Sequence, residues 1–105
     1  MKDKSSSVVC IKVNNALGVP STRWGHAAAS YKGKLFILGG RNEHDIIDLH
    51  QFDLETKKWS NIEINGITPK PRRRHSAIFV SGSLVMFGGF DSSFYNDLHV
   101  LDFVS

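Results

Sequence analysis

Sliding the 105-residue chain along itself by 49 positions lays Pro20 on Pro69, Arg23 on Arg72 and His26 on His75. The match continues with Ala28 on Ala77, Gly33 on Gly82, Leu35 on Leu84, and the doublet Gly39-Gly40 on Gly88-Gly89. It closes with Asp48-Leu49-His50 on Asp97-Leu98-His99 and Asp53 on Asp102. These 12 identities need no gap. Chance matching at about one in twenty would leave roughly two over such a span. A repeat of this length confines the chain to architectures whose units bury their faces against one another.

Each unit reads as strands. His75-Ser76-Ala77-Ile78-Phe79-Val80 forms a first strand, and Ser81-Gly82 a two-residue turn in which Gly takes the positive φ of a tight hairpin. Lys32-Gly33 is the matching turn. Leu84-Val85-Met86-Phe87 and Leu35-Phe36-Ile37-Leu38 are apolar on both faces and too short for a helix. Polar loops over residues 41–45 and 91–96 follow. Third strands cover about residues 47–52 and 97–101. Asp53 opens a turn, where its carboxylate can accept backbone N–H groups. Residues 59–64 make a fourth strand: Ile62 and Ile64 alternate with Asn61 and Glu63, the pattern of a half-exposed outer strand.

Four antiparallel strands in about 50 residues is the period of a kelch-type propeller blade. The stretch from Pro20 to Trp59 resembles a kelch repeat along its length. It has Arg23-x-x-His26, a strand ending in Gly39-Gly40, Asp48-Leu49-x-x-Phe52-Asp53, and Thr56-x-x-Trp59. Residues 69–105 resemble a second, with Arg72, His75, Gly88, Gly89 and Asp102 at the matching points. The resemblance implies an all-β fold of two four-stranded antiparallel sheets, part of a β-propeller. Its divisions are an outer closing strand at residues 8–13, a first repeat at 20–64 and a second, truncated repeat at 69–105. Cys10 stands where the register expects a Trp. Two blades are fewer than the about four to eight of a propeller. The chain therefore reads as a piece of a longer propeller, with several copies forming one ring as the alternative. Residues 103–105 read as a truncation, and both outer blade faces as apolar and unpartnered.

Composition narrows the setting. One cysteine, Cys10, cannot form an intramolecular disulfide. That points to a reducing compartment, cytoplasmic or nuclear, and excludes a four-cysteine zinc site. No apolar run approaches the roughly 20 residues that span a bilayer, so no membrane partner is expected. The net charge of +3 comes largely from the cluster Lys70 to Arg74.

The residues that could carry chemistry have structural readings beside functional ones. The glycine doublets open no helix, so a phosphate loop is not indicated. The recurrence of His26 with His75, and of His50 with His99, points to hydrogen bonds within or between blades. His44 with Asp45 and Asp48 reads as a solvated turn before a ligand set. Arg72 repeats Arg23 and belongs to the blade, which leaves Arg73 and Arg74, replacing Trp24 and Gly25, free for function. Arginines without stacking aromatics over a wider face argue against nucleic acid. No cofactor, metal or catalytic residue is indicated.

The kelch resemblance implies a non-catalytic interaction module that binds a protein or peptide through loops on one face. The expected binding residues are Arg41, Arg73, Arg74, Phe90, Phe94 and Tyr95, and the expected ligand is acidic with an apolar anchor. The remaining blades, or other copies of the chain, are the other expected partners. The alternative is a fragment of a kelch-fold enzyme whose catalytic residues lie in other blades. Copper oxidases resemble this architecture, but Tyr31 and Tyr95 show no copper-ligand arrangement in the sequence.

Overall fold

The computed structural model describes residues 6–14 and 17–103. Seven strands follow one another: β1 (Ala27–Tyr31), β2 (Lys34–Arg41), β3 (Asp45–Asp53), β4 (Lys58–Ile62), β5 (Ser76–Val80), β6 (Ser83–Phe90) and β7 (Phe94–Leu101). They form two antiparallel meanders, β1-β2-β3-β4 and β5-β6-β7. The chain is all-β, as its sequence implies.

Local chemistry sets the connections. Lys32 and Gly33 sit at φ 50° and 76°, and Ser81 and Gly82 at 50° and 84°. Positive φ at both central residues gives the turn whose twist matches the flanking strands. It pairs Tyr31 with Lys34 and Val80 with Ser83. After β3, the Asp53 carboxylate accepts the backbone N–H groups of Glu55 at 2.8 Å and Thr56 at 3.2 Å. That bond pattern turns the chain into β4.

β2 and β6 outrun the apolar tetrads that announce them. They continue through the glycine doublets to Arg41 and Phe90, with a register shift at each doublet. Gly39, Gly40, Gly88 and Gly89 sit at φ 67°, 114°, 71° and 113°. A Cβ on Gly39 would lie 2.8 Å from His75 Cε1, and one on Gly89 3.0 Å from Arg72 Cδ. Only glycine admits both the bulge and the close approach. The expected loops consequently shrink to residues 42–44 and 91–93. Phe90, Phe94 and Tyr95 stand at strand ends rather than in a loop.

The two sheets pack face to face, with β1 beside β5. Phe36, Leu38 and Leu49 from the first meet Leu84 and Met86 from the second in one buried core. Each such side chain contributes about 1.5–3 kcal/mol on burial. Tyr31 stacks on Phe79 with ring centroids 4.8 Å apart, and Phe36 tilts against Phe79 at 5.0 Å. These contacts make a seam rather than two separate hydrophobic clusters.

The second sheet has three strands, not the four expected. Residues 8–13, expected to supply an outer strand, carry no strand assignment and are exposed. A strand forms only against an edge it can pair with. Gly18 lies against the first sheet, where a Cβ would come 3.3 Å from Trp59 Cβ. Trp59 pairs with Phe52, on the face opposite Leu49. β4 also stops at Ile62, two residues short of the expected end. The far face of the second sheet exposes Ile78, Val80, Phe87, Leu98 and Val100. On the far face of the first sheet Leu35 and Ile37 are half-buried and Phe52 is buried.

Candidate functional site

Two short bridges gather the candidate residues at one end of the sheets. Trp24 exchanges backbone hydrogen bonds of 2.9 Å with Arg41. Arg73 does the same with Phe90, at 3.0 and 2.9 Å. The segment entering each sheet therefore lies against the β2–β3 or β6–β7 connection. The hairpin turns at Lys32-Gly33 and Ser81-Gly82 lie at the opposite end. The first of these ends is called the mouth below.

Beneath the mouth each sheet carries the same clamp. Arg23 donates to both oxygens of Asp48, at 2.6 and 3.1 Å, and to the Gly39 carbonyl at 3.0 Å. Arg72 donates to both oxygens of Asp97, at 2.5 and 3.0 Å, and to the Gly88 carbonyl at 3.0 Å. His50 and His99 approach the same carboxylates at 2.9 Å. Burial pushes the Asp48 carboxyl up, but hydrogen bonds from Arg23 and His50 outweigh it and hold the group below its ordinary value. The Arg72 hydrogen bonds hold Asp97 well below the usual carboxylate range, against partial desolvation. Both clamps fix the entry segment to its own sheet, so Arg23 and Arg72 are structural, as their recurrence implies.

At the rim, Asp45 accepts from two arginines. Arg41 reaches it at 3.0 Å from the same sheet, and Arg73 reaches both its oxygens from the second sheet at 2.8 and 3.0 Å. Arg73 therefore ties the sheets together. Its guanidinium also lies 4.8 Å from the Phe90 ring and 5.3 Å from the Trp24 ring. Arg74 differs. It is exposed, and among the described residues no carboxylate pairs with it. Its guanidinium lies 5.7 Å from the Trp24 ring. It holds φ at 62°, where the matching position in the first unit is Gly25 at 69°.

Phe90 and Phe94 contact each other with ring centroids at 4.8 Å, and Phe94 is 87% exposed. Tyr95 stands apart from this group. Its hydroxyl donates to Asp91 at 2.6 Å and its ring lies 3.9 Å from the Arg72 guanidinium. The hydrogen bond from Tyr95, with backbone N–H groups of Ser92 and Ser93, draws the Asp91 carboxyl down to about 2. The same bond raises the Tyr95 hydroxyl above its ordinary value. Tyr95 thus braces the 91–93 loop.

Of the expected binding residues, the mouth brings together Arg41, Arg73, Arg74, Phe90 and Phe94. Sequence reasoning missed Trp24 and Asp45. The 49-residue shift does carry a signal for Trp24: it superimposes this residue on Arg73, which places both at the rim of adjacent sheets. Nothing in the local sequence marks Asp45 as the acceptor for arginines 4 and 28 residues away. His44 is exposed, while Asp45 and Asp48 face arginines.

Successive antiparallel meanders, packed face to face with their connections at one mouth, define neighbouring blades of a β-propeller. The model of the KLHDC2/KLHL20/DRC7 Kelch-repeats domain matches residues 4–105, and the chain belongs to the kelch-repeat family. It is 36% identical over 89 residues to Kelch domain-containing protein 3 of Bos taurus, covering 80% of this chain and 23% of that protein. To Host cell factor 2 of Homo sapiens it is 38% identical over 77 residues, covering 68% of this chain and 10% of that protein. To tRNA wybutosine-synthesizing protein 2/3/4 of Arabidopsis thaliana it is 33% identical over 86 residues, covering 79% and 9%. The chain spans about a quarter or less of the length of these relatives.

Proposed function

We propose that the chain is a non-catalytic protein-recognition module whose mouth takes an acidic segment carrying an apolar anchor. The observation behind this reading is Arg74. Left-handed backbone costs a non-glycine residue about 1–3 kcal/mol, and such strain collects at functional positions. Gly25 avoids it at the matching point of the first blade. Arg74 accepts the strain and presents a guanidinium that no described carboxylate neutralises. A carboxylate ligand would complete it with paired hydrogen bonds. Arg41 supplies further charge at the same rim, and Phe90 an apolar floor, with Phe94 at its edge toward the open face of the second blade.

One relative bears the name of a tRNA-modifying enzyme. An enzymatic reading would need free carboxylates and imidazoles. The Asp48-His50 and Asp97-His99 pairs recur in both blades with an arginine on each, which fits a structural role better. The single cysteine supports a reducing compartment for the module.

Selection from a random peptide display library against the 105-residue protein tests the proposal. Asp and Glu flanking an aromatic or aliphatic residue should be enriched, and Arg74→Glu should abolish the enrichment. Selection of basic peptides, or enrichment indifferent to Arg74→Glu, would overturn it.

A further inference from the structure

Asn65 is the only asparagine in the chain that precedes a glycine. It lies in the linker that carries the chain from β4 to the second sheet. That linker is pinned at both ends: Ile64 packs against the buried core, and Pro69 is buried. Residues 65–68 between them are exposed. Gly66 holds φ at 83°, and a Cβ there would meet nothing within 4 Å. Among the described residues no hydrogen bond engages the Gly66 N–H. The exposure does not hang on an absent strand. Leu17, at the same phase of the first unit, is 82% exposed where the sheet has all four of its strands.

An asparagine amide is a thermolabile group, and its nearest nucleophile is the backbone nitrogen of the next residue. Attack of that nitrogen on the side-chain carbonyl carbon closes a five-membered ring, and proximity favours such an intramolecular step. Two things restrain it in a folded chain. A side chain on the next residue shields the nitrogen, and regular or hydrogen-bonded backbone holds the nitrogen away from the amide. Gly66 imposes neither restraint, since it has no Cβ and lies outside every strand. The other asparagines differ. Asn61 and Asn96 lie within β4 and β7 and precede Ile62 and Asp97. Asn42 precedes Glu43, and its Oδ1 accepts the Glu43 and His44 N–H groups, which fixes the amide in its turn. Asn14 precedes another asparagine, and Asn15 an alanine.

We propose that Asn65-Gly66 is a self-modifying site, at which the linker between the blades turns from a neutral amide into a carboxylate. Hydroxide removes the Gly66 N–H proton, and the nitrogen forms a bond to Asn65 Cγ. The Cγ–Nδ2 bond breaks, and Nδ2 takes a proton from water and leaves as ammonia. Water then opens the cyclic imide. Cleavage of the new N–Cγ bond gives aspartate. Cleavage of the original peptide bond gives isoaspartate, whose main chain runs through Cγ and is one methylene longer. Water is the one co-reactant consumed, and nothing is oxidised or reduced. Either product lowers the net charge of +3 by one and sets a carboxylate ahead of the basic run Lys70 to Arg74. The exposed span 65–68 takes up the extra methylene between the two anchored ends. The isoaspartate form is in turn a substrate for the class of enzymes that methylate isoaspartyl carboxylates. The proposal is independent of the mouth's ligand.

Prolonged warm incubation of the 105-residue protein, followed by peptide mapping with mass spectrometry, tests it. The tryptic fragment 59–72 should gain the mass of an amide-to-acid exchange and split into two acidic species. One of them should accept labelled methyl groups from S-adenosylmethionine in the presence of an isoaspartyl methyltransferase. Conversion should speed up from pH 6 to pH 8, because the attacking nitrogen must lose its proton. The folded protein should convert at Asn65 within about tenfold of its rate in urea, because an exposed linker needs no local opening. Asn42, Asn61 and Asn96 should be protected by the fold. Asn65→Gln keeps the amide but enlarges the ring to be closed, and should remove both acidic species with unchanged far-UV circular dichroism. Gly66→Ala should slow the conversion. An Asn65 that remains an amide in the folded protein, whatever happens in urea, overturns the proposal. So does conversion that maps first to Asn14 or Asn42, which would mean that exposure and the glycine do not select the site.

Discussion

His75 Nε2 lies 2.7 Å from the Leu38 carbonyl oxygen, 37 residues away in sequence and across the seam between the blades. A carbonyl only accepts, so Nε2 carries the proton. Nδ1 is buried and has no hydrogen-bond partner among the described residues. Desolvation lowers the His75 pKa below its ordinary 6.5, against the opposing pull of the Leu38 hydrogen bond, with Arg72 and His26 adding to the lowering.

The sign of the pH dependence follows. A histidine whose folded pKa is depressed binds fewer protons folded than unfolded in the window below pH 6.5. Its contribution is complete above 6.5 and is lost as pH falls from there toward the folded value. A second loss follows in stronger acid. Asp48 and Asp97 are depressed from 3.8, so their contribution is present above that value and fades as pH drops below it. Thermal melts at pH 7.5 and 5.5 should show a lower midpoint at 5.5. His75→Gln should flatten that difference. An equal slope in the variant would assign the acid sensitivity elsewhere.

Arg72→Lys should destabilise the chain by about 1–3 kcal/mol. An ammonium keeps the charge but cannot serve both oxygens of Asp97 together with the Gly88 carbonyl. Urea denaturation measures the change through its midpoint, and a shift within error would show that charge alone is what the clamp requires.

Two glycines with similar φ should respond differently to the same substitution. Gly33→Asn, at φ 76° with open space around the new Cβ, should change stability by less than about 1 kcal/mol. Gly39→Asn, at φ 67°, brings its Cβ to 2.8 Å from the His75 ring and should cost about 2 kcal/mol or more. Equal effects would mean that backbone conformation, not the close approach to His75, dictates the doublet.

Arg74→Gly should stabilise the fold by about 1 kcal/mol, because it relieves left-handed backbone strain as Gly25 does in the first blade. The same change should weaken capture of acidic peptides. Differential scanning calorimetry alongside a binding assay reads both. A destabilised variant would show that Arg74 holds the fold rather than presents a ligand group.

The elements that recur were readable in the sequence because each is dictated locally. Lys32-Gly33 and Ser81-Gly82 have the composition of a tight hairpin, and Asp53 supplies the acceptor its turn needs. The extent of β2 and β6 was harder to read. A bulge lets a strand run through Gly39-Gly40, which local propensity marks as its end. The Arg23–Asp48–His50 clamp had a signal, since all three positions repeat as Arg72, Asp97 and His99, but pairing across 25 residues is a tertiary fact. Residues 8–13 have strand composition yet join neither sheet among the described residues, because a strand needs an edge to pair with as well as composition. Among the expected binding residues, Arg74 and Phe90 do lie at the mouth, where the repeat phase puts them. Only the fold shows that Arg41 and Arg73 share Asp45 and that Tyr95 is turned inward on Asp91.

The most direct test of recognition at the mouth is two-dimensional amide NMR of the 105-residue protein. A synthetic Asp/Glu-rich peptide carrying one leucine would be titrated in. The largest shift changes should fall at Arg41, Arg74, Phe90 and the loops 42–44 and 91–93, and should shrink as salt screens the exposed charges. Changes centred on the turns at 32–33, 54–57 and 81–82, or none up to millimolar peptide, would contradict the account.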